Sequence, residues 1–224
     1  MNNKNKSKDR RKEIEFRALN SGGKALRDDE IIETLLSSVH DSDQAQAITK
    51  NLVNTCTGIG GILGREIDEL QMIKGVTKPA VVVITCVKEA NKRALREGLK
   101  RGPVMGNEKL IEYIRVSIGL SAREAVQIIY LDTQRRFIDD DVHFGTIDEV
   151  HLYEREVVEN AIGRKAASII LAHNHPGGSL EPSEEDKNMT MELASACQSV
   201  NIELLDHILV TDKGHLSFKK NDLL

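Results

Sequence analysis

The sequence predicts an α/β fold in the second half of the chain and an all-helical first half. After about residue 106, short apolar runs alternate with segments of helical periodicity, which is typical of a layered α/β domain. Before that point, nearly every segment has the spacing of an amphipathic helix. We therefore expect a disordered arm at 1–15, a helical domain at 16–105 and an α/β domain at 106–224. Glycine and proline interrupt the helical patterning at 99–106, which is the predicted linker.

Two short helices are predicted near the start of the helical domain. Asp28 or Asp29 can cap the first of them, and Ser42 or Asp43 can cap the second. Their apolar positions recur at helical spacing: Ile31, Ile32, Leu35, Leu36 and Val39 in the first, and Ala45, Ile48 and Leu52 in the second. We expect both to pack as bundle helices.

A third helix, at 66–73, precedes a tight turn and a long helix that ends near residue 95. The turn, at 74–78, is followed by Pro79, which suits the first turn of a helix. This arrangement is similar to a helix-hairpin-helix, in which backbone N–H groups approach a nucleic-acid phosphate. Thr77 stands where that motif has its second glycine, so a purely structural hairpin is an equally good interpretation. Residues 81–84 are β-branched, and local propensity alone favours a strand there.

Charge and composition argue against a dedicated nucleic-acid binder. The net charge is −4, and with no Trp and 3% aromatic residues, stacking of single-stranded bases is not expected. Basic residues in the arm and on the long helix leave local phosphate contacts open. They are Lys4, Lys6, Lys8, Arg10, Arg11 and Lys12 in the arm, and Lys88, Lys92, Arg93, Arg96, Lys100 and Arg101 on the helix.

The protein is expected to be cytoplasmic and to make no membrane contact. The N-terminus lacks an apolar signal segment, and no stretch reaches membrane-spanning length. Cys56, Cys86 and Cys197 are dispersed, which is typical of a reducing compartment and argues against a cysteine zinc site.

The second half carries apolar runs of strand length near 125–132, 167–172 and 202–210. Helical periodicity is found near 153–163 and 184–200. This alternation is the basis for the α/β prediction.

The most distinctive spacing lies between residues 169 and 190. His173 and His175 are two residues apart at a predicted strand end, so both imidazoles should lie on one side of the extended chain. Asp186 falls in the first turn of the next helix. Two imidazoles and one carboxylate leave a fourth tetrahedral position for water, which is typical of a catalytic zinc site.

The same residues also have an ordinary structural interpretation. Ser183 and Asp186 fit a capping box, with the serine at the N-cap and the carboxylate three residues later. Residues 174–177 fit a polar turn whose histidines are hydrogen-bonded without a metal. The conjunction of these residues in one segment favours the metal site.

The segment 172–178, with the sequence AHNHPGG, and the segment 182–186, PSEED, together resemble the JAB/MPN metalloprotease domain in its RadC form. The segments 155–158, 205–208 and 217–218 are also similar to that domain, so the resemblance covers the chain from about residue 106 onward. It implies a mixed-sheet, cytidine-deaminase-like α/β domain preceded by a small helix-hairpin-helix domain.

The resemblance also implies roles for individual residues. One Zn²⁺ ion would be bound by His173, His175 and Asp186, with Ser183 assisting the tetrahedral intermediate. An upstream glutamate would act as general base, and Glu124 fits because it stands just before the apolar strand at 125–132.

Other polar residues are less favoured for the site. Glu154 and Glu156 lie on the predicted helix 153–163 and rank below Glu124 as the base. His207 lies beside Asp206 on an apolar run, where it could support the metal site from outside; we expect a structural role.

The expected function is that of a zinc-dependent hydrolase that cleaves amide or isopeptide bonds in a protein or peptide substrate. The alternative is a DNA repair or recombination accessory protein that binds DNA through the helical domain. In that case the metal domain would act as a nuclease or recognise a partner. The sequence identifies neither the substrate nor the oligomeric state.

Overall fold

The computed structural model describes residues 3–104, 106, 108–145 and 152–224, with side chains from residue 9 onward. The chain divides into two compact units, one up to Glu89 and one from Ala90. This division precedes the predicted linker at 99–106, of which Met105 lies outside the described residues. The difference arises because Leu99 packs in the core of the second unit, a long-range contact that local composition does not indicate.

The first unit is helical, as predicted. Its helices are α1 (Asn3–Ser21), α2 (Asp28–Leu36), α3 (Ser42–Thr55), α4 (Gly58–Gly64), α5 (Ile67–Met72) and the first part of α6 (Lys78–Leu99). Their buried apolar residues form one core, which includes Ile32, Leu36, Ile48, Leu52, Ile62, Leu70 and Ile84. The sequence did not predict α4, because its glycines disfavour a helix; burial of Ile62 stabilises it.

The structure is helical from Asn3 onward, where the sequence predicts a disordered arm at 1–15. Ile14 is buried, and Arg10 donates to Glu33 with an Nη2–Oε2 distance of 3.0 Å. The Arg17 guanidinium donates in the same way to the buried Glu30, at 3.0 Å from Nη1 to Oε2. Glu33 and Glu30 lie 23 and 13 residues after the arginines that they bind, so the composition of the arm alone does not predict these contacts.

The turn between α5 and α6 has the form of a helical hairpin. Gly75 has φ of +83°, and a Cβ there would lie 3.1 Å from the Asn51 amide nitrogen. The hydroxyl oxygen of Thr77 accepts a hydrogen bond from the Ala80 N–H in the first turn of α6, at 3.3 Å. The β-branched run that follows is helical, as the hairpin pattern predicts and local propensity does not.

The second unit contains a mixed five-stranded sheet within the described residues, in the order β2-β1-β3-β4-β5. The strands are β1 (Ala125–Leu131), β2 (Phe137–Phe144), β3 (Ser168–Asn174), β4 (Glu203–Val210) and β5 (His215–Ser217). Strands β3 and β4 are parallel, and the other neighbouring pairs are antiparallel. The α/β class and the predicted mixed sheet are therefore confirmed.

Helices cover both faces of this sheet. On one face lie α7 (Glu108–Ile114) and a π-helix (Arg115–Gly119), packed on Ile129 and Ile170. On the other lie α8 (Glu154–Gly163) and α9 (Glu184–Gln198), packed on Ile128 and Leu171. Burial on both faces explains why β1, β3 and β4 are predominantly apolar. No helix in the described part of the chain combines the length and apolar character needed to cross a bilayer.

Candidate metal centre

The end of the central strand β3 carries both histidines of the predicted site. His173 pairs with Val126 of β1 and Leu209 of β4, and its side chain is almost fully buried. The His175 N–H donates to the Val210 carbonyl at 3.1 Å, which extends the pairing one residue beyond the strand. Both imidazoles therefore lie on the same side of the chain, and their Nε2 atoms are 3.0 Å apart.

The first turn of α9 places Asp186 against these two rings. Its Oδ1 lies 3.0 Å from His173 Nε2, and its Oδ2 lies 3.4 Å from His175 Nε2. Ser183 is at the N-cap and forms the predicted capping box with Asp186, with distances of 3.0 Å to the Asp186 N–H and 2.7 Å from the Ser183 N–H to Oδ2. The predicted capping box is therefore confirmed, and it places Asp186 beside the two imidazoles.

The donor atoms of the cluster fit a zinc ion. Ligands of a tetrahedral zinc at about 2.1 Å are separated by roughly 3.4 Å, close to the 3.0 to 3.4 Å found between these atoms. The His175 Nδ1–H donates to the Ser179 carbonyl at 3.0 Å, which leaves the Nε2 lone pair of His175 directed at the cluster. Two imidazole nitrogens and a carboxylate oxygen are ligands that zinc prefers.

Glu124 lies at the edge of the same cluster and is half-buried. Its carboxylate and the ring nitrogens of His173 and His175 all lie within 4.8 Å of one another. Glu124 could therefore compete with Asp186 as the third ligand. Asp186 contacts both imidazoles, at 3.0 and 3.4 Å, and is held there by its bond with the Ser183 N–H, a position that suits a third ligand.

The buried Asn174, between the two histidines, fixes the loop that carries Glu124. Its Oδ1 accepts from the Ala125 N–H at 2.7 Å, and its Nδ2 donates to the Ser121 and Arg123 carbonyls at 3.3 and 3.1 Å. Sequence reasoning missed this residue. The available signal was its position: the middle residue of His-x-His on a strand points to the opposite face from the histidines.

His207 contacts the site from behind His173, and it is fully buried. Its Nε2 lies 2.6 Å from His173 Nδ1, and its Nδ1 lies 2.6 Å from the Thr190 hydroxyl. Burial lowers the pKa of His207 well below its usual value, so this imidazole is neutral. The residue therefore touches a candidate ligand, in addition to the structural role expected from the sequence.

The cluster is electrostatically coupled. Burial opposes ionisation of Asp186, but in the absence of a metal its contacts with the His173 and His175 rings outweigh this effect and hold the pKa of Asp186 far below its usual range. A metal displaces any proton shared in these contacts, which frees the Nε2 lone pairs as ligands. The hydrogen bond to Asp186 raises the pKa of His175. The carboxylate is therefore an anion, the form in which it can bind a cation.

The fold and the cluster of His173, His175 and Asp186 are consistent with the JAMM-type class of metal-binding domains. A family model described as a RadC-like JAB domain matches residues 104–223. The chain belongs to this RadC-like JAB family. The match begins within the predicted linker and covers the whole sheet.

Bacterial relatives are similar over nearly the whole chain. A UPF0758 protein of Polaromonas sp. (strain JS666 / ATCC BAA-500) is 33% identical over 91% of this chain and 92% of the relative. A UPF0758 protein of Pseudoalteromonas translucida (strain TAC 125) is 32% identical over 92% of this chain and 93% of the relative. The similarity thus includes the helical first unit as well as the JAB domain.

Proposed function

We propose that the protein is a zinc-dependent hydrolase that cleaves amide or isopeptide bonds in a protein or peptide substrate. The observation that carries this proposal is the convergence of His173 Nε2, His175 Nε2 and the Asp186 carboxylate within 3.0 to 3.4 Å, beside Glu124. Three protein ligands leave one position for water, the arrangement of catalytic zinc sites.

The side chains around the cluster supply the remaining chemistry. Bound zinc would act as a Lewis acid and lower the pKa of a water molecule to about 7. Glu124 accepts a proton from the attacking water and delivers it to the leaving amine, so base and acid are one residue. In the cap, the hydroxyl oxygen of Ser183 accepts from the Asp186 N–H through a lone pair. The exposed hydroxyl proton of Ser183 can therefore still be donated to the oxyanion that develops on the substrate.

The base assignment is tested with Glu124→Gln and a panel of internally quenched peptides and ε-lysyl isopeptides. We expect Glu124→Gln to lower kcat by about 10²- to 10⁴-fold while zinc content stays at the wild-type level. Glu156→Gln is the matched control, because Glu156 is an exposed glutamate on α8, and it should retain wild-type activity. Equal activity of Glu124→Gln and wild type would show that Glu124 is not the base.

A second candidate function is DNA binding, because the hairpin of the first unit forms and places two exposed lysines, Lys74 and Lys78, on either side of Gly75 and Thr77. Fluorescence anisotropy with duplex DNA tests it. Binding through the hairpin should weaken as the salt concentration rises. In the double variant Lys74→Ala and Lys78→Ala, the slope of log K against log salt concentration should become smaller by about two units at most. Binding that is unchanged in this double variant excludes the hairpin from DNA contact.

A further inference from the structure

A chain of short hydrogen bonds runs through the buried interior behind the metal cluster. His173 Nδ1 contacts His207 Nε2 at 2.6 Å, His207 Nδ1 contacts Thr190 Oγ1 at 2.6 Å, and Thr190 Oγ1 contacts the Asp186 carbonyl oxygen at 2.6 Å. Thr190 and His207 are fully buried. The chain thus begins at one candidate ligand and ends at the backbone of another.

The carbonyl at the end of this chain determines where each proton lies. A carbonyl oxygen only accepts hydrogen bonds, so the single hydroxyl proton of Thr190 points to Asp186. The Thr190 oxygen must then accept from His207, which places a proton on His207 Nδ1. His207 is fully buried and its ring nitrogens contact a hydroxyl and another imidazole, an environment that holds an uncharged ring with one proton. That proton lies on Nδ1, so Nε2 accepts from His173 Nδ1–H.

This proton arrangement has a direct consequence for the cluster. With its proton on Nδ1, a neutral His173 presents a bare Nε2 lone pair towards His175 and Asp186. The opposite tautomer would place a proton where a metal must bind. His175 obtains the same tautomer from one carbonyl, that of Ser179, whereas His173 depends on the longer chain.

We propose that Thr190 and His207 are positioning residues that hold His173 in its metal-binding tautomer, with α9 supplying both the Asp186 carboxylate and the carbonyl that orients the chain. The inference rests on the proposed metal site. Phe218 adds to the arrangement by stacking on the His207 ring, with ring centroids 4.2 Å apart and an interplanar angle of 27°. Partners of this kind fix ring orientation in metal sites.

Thr190→Val tests the proposal because it removes the hydroxyl and keeps the β-branched shape. We expect Thr190→Val to bind zinc about 10- to 100-fold more weakly in competition with a chelator. Thr190→Ser retains the hydroxyl and should restore affinity to near the wild-type value. The matched control is Thr49→Val, since Thr49 is another buried helical threonine and its hydroxyl has no hydrogen-bond partner within the described residues; its zinc affinity should be unchanged.

Histidine ¹⁵N NMR gives a readout that a merely structural role of Thr190 would not change. In the wild-type protein, His207 should carry its proton on Nδ1 alone, and in Thr190→Val the Nδ1-protonated population should decrease. If Thr190→Val proves unfolded, Thr190→Ala is measured against Thr190→Ser in the same way. A His207 protonated on Nε2 in wild type, or equal zinc affinity in Thr190→Val and Thr190→Ser, would overturn the proposal.

His173→Ala separates this proposal from the metal site itself. If His173→Ala loses zinc while Thr190→Val binds it normally, the positioning role is wrong and the metal site stands. If His173→Ala keeps full zinc affinity, the metal site is wrong, and the positioning role fails with it.

Discussion

Asp186 uses one carboxylate for two tasks, since Oδ2 accepts from the Ser183 N–H at 2.7 Å and Oδ1 faces His173 at 3.0 Å. Asp186→Asn keeps an acceptor oxygen for the cap but loses the charge. We expect zinc affinity to fall by at least about 100-fold in Asp186→Asn, because the ligand set loses its only anion. Chelator competition measures this effect.

Asp186→Ala separates the two tasks further, since it removes the acceptor of the Ser183 N–H together with the proposed ligand, while the Ser183 hydroxyl can still cap the helix. Urea unfolding of the metal-free proteins should show Asp186→Ala about 0.5–1.5 kcal/mol less stable than Asp186→Asn, the usual contribution of one hydrogen bond. Equal stability of the two variants would mean that the bond from the Ser183 N–H contributes nothing, and unchanged zinc affinity in both would exclude Asp186 as a ligand.

Asn174 is expected to affect catalysis more than metal binding. Asn174→Ala leaves the Ala125 N–H and the Ser121 and Arg123 carbonyls without their side-chain partner, at about 1–3 kcal/mol for each group left unsatisfied. The loop with Glu124 should then lose its position, so kcat falls while zinc content is retained. Loss of zinc together with activity would instead place Asn174 in support of the histidines.

The positions of candidate site residues were predictable where side-chain chemistry and spacing coincide. The histidine pair and Asp186 were identified from their side-chain types and their spacing. In the structure they lie within hydrogen-bonding distance of one another. Asn174 and Thr190 were not found, because an asparagine on a strand or a threonine on a helix is ordinary in sequence. Their importance comes from contacts with residues 17 to 53 positions away along the chain.

At the scale of elements, the start of α2 is held by a buried carboxylate. The hydrogen bond from Arg17 lowers the pKa of Glu30 against the opposing effect of burial, with help from the Arg27 N–H, to about 2 from an ordinary value of 4.5. A folded-state pKa below the unfolded value means that this contribution is fully present above about pH 4.5 and is lost as the pH falls towards 2.

Glu30→Gln tests this effect, because glutamine can still complete a capping box but carries no charge. We expect its melting temperature to be lower than that of wild type at pH 7 and to change less between pH 4.5 and pH 2. Glu192→Gln, at an exposed position on α9, is the control and should keep the wild-type pH dependence. Identical pH profiles of Glu30→Gln and wild type would exclude Glu30 as the titrating group.

Elements buried on both faces were predictable, and edge strands were not. Strands β1, β3 and β4 stand out as apolar runs, whereas β2 contains Asp139, Asp140 and Asp141. These acids are accommodated because Arg164 pairs with Asp139 and Asp141, and Arg96 with Asp140. The pairing partners come from other elements, so local propensity gave no indication of a strand.

At the scale of the whole molecule, zinc should stabilise the JAB domain through mass action. A ligand at about 1,000 times its Kd contributes about 4 kcal/mol to the free energy of unfolding. Removal of zinc with EDTA should therefore lower the melting temperature, and added zinc should restore it. His173→Ala should show no such shift, and an equal shift in His173→Ala and wild type would mean that zinc acts elsewhere.

The division of the molecule into a helical part and an α/β part was predictable from periodicity, but its position was not. Helix α6 continues without a break through the division at Glu89, and Leu99 at its end is buried with the second unit. Glycine and proline at 99–106 indicate where a helix ends, but they do not indicate where one hydrophobic core gives way to the next. The start of the family match at residue 104 agrees with that composition signal.

The central claim is that His173, His175 and Asp186 bind zinc and that Glu124 does not. Zinc content per chain, measured by mass spectrometry after exhaustive dialysis of wild type, His173→Ala and Glu124→Gln, tests it most directly. We expect about one zinc per chain in wild type and Glu124→Gln, and almost none in His173→Ala. Zinc retained in His173→Ala, or lost from Glu124→Gln, would contradict it.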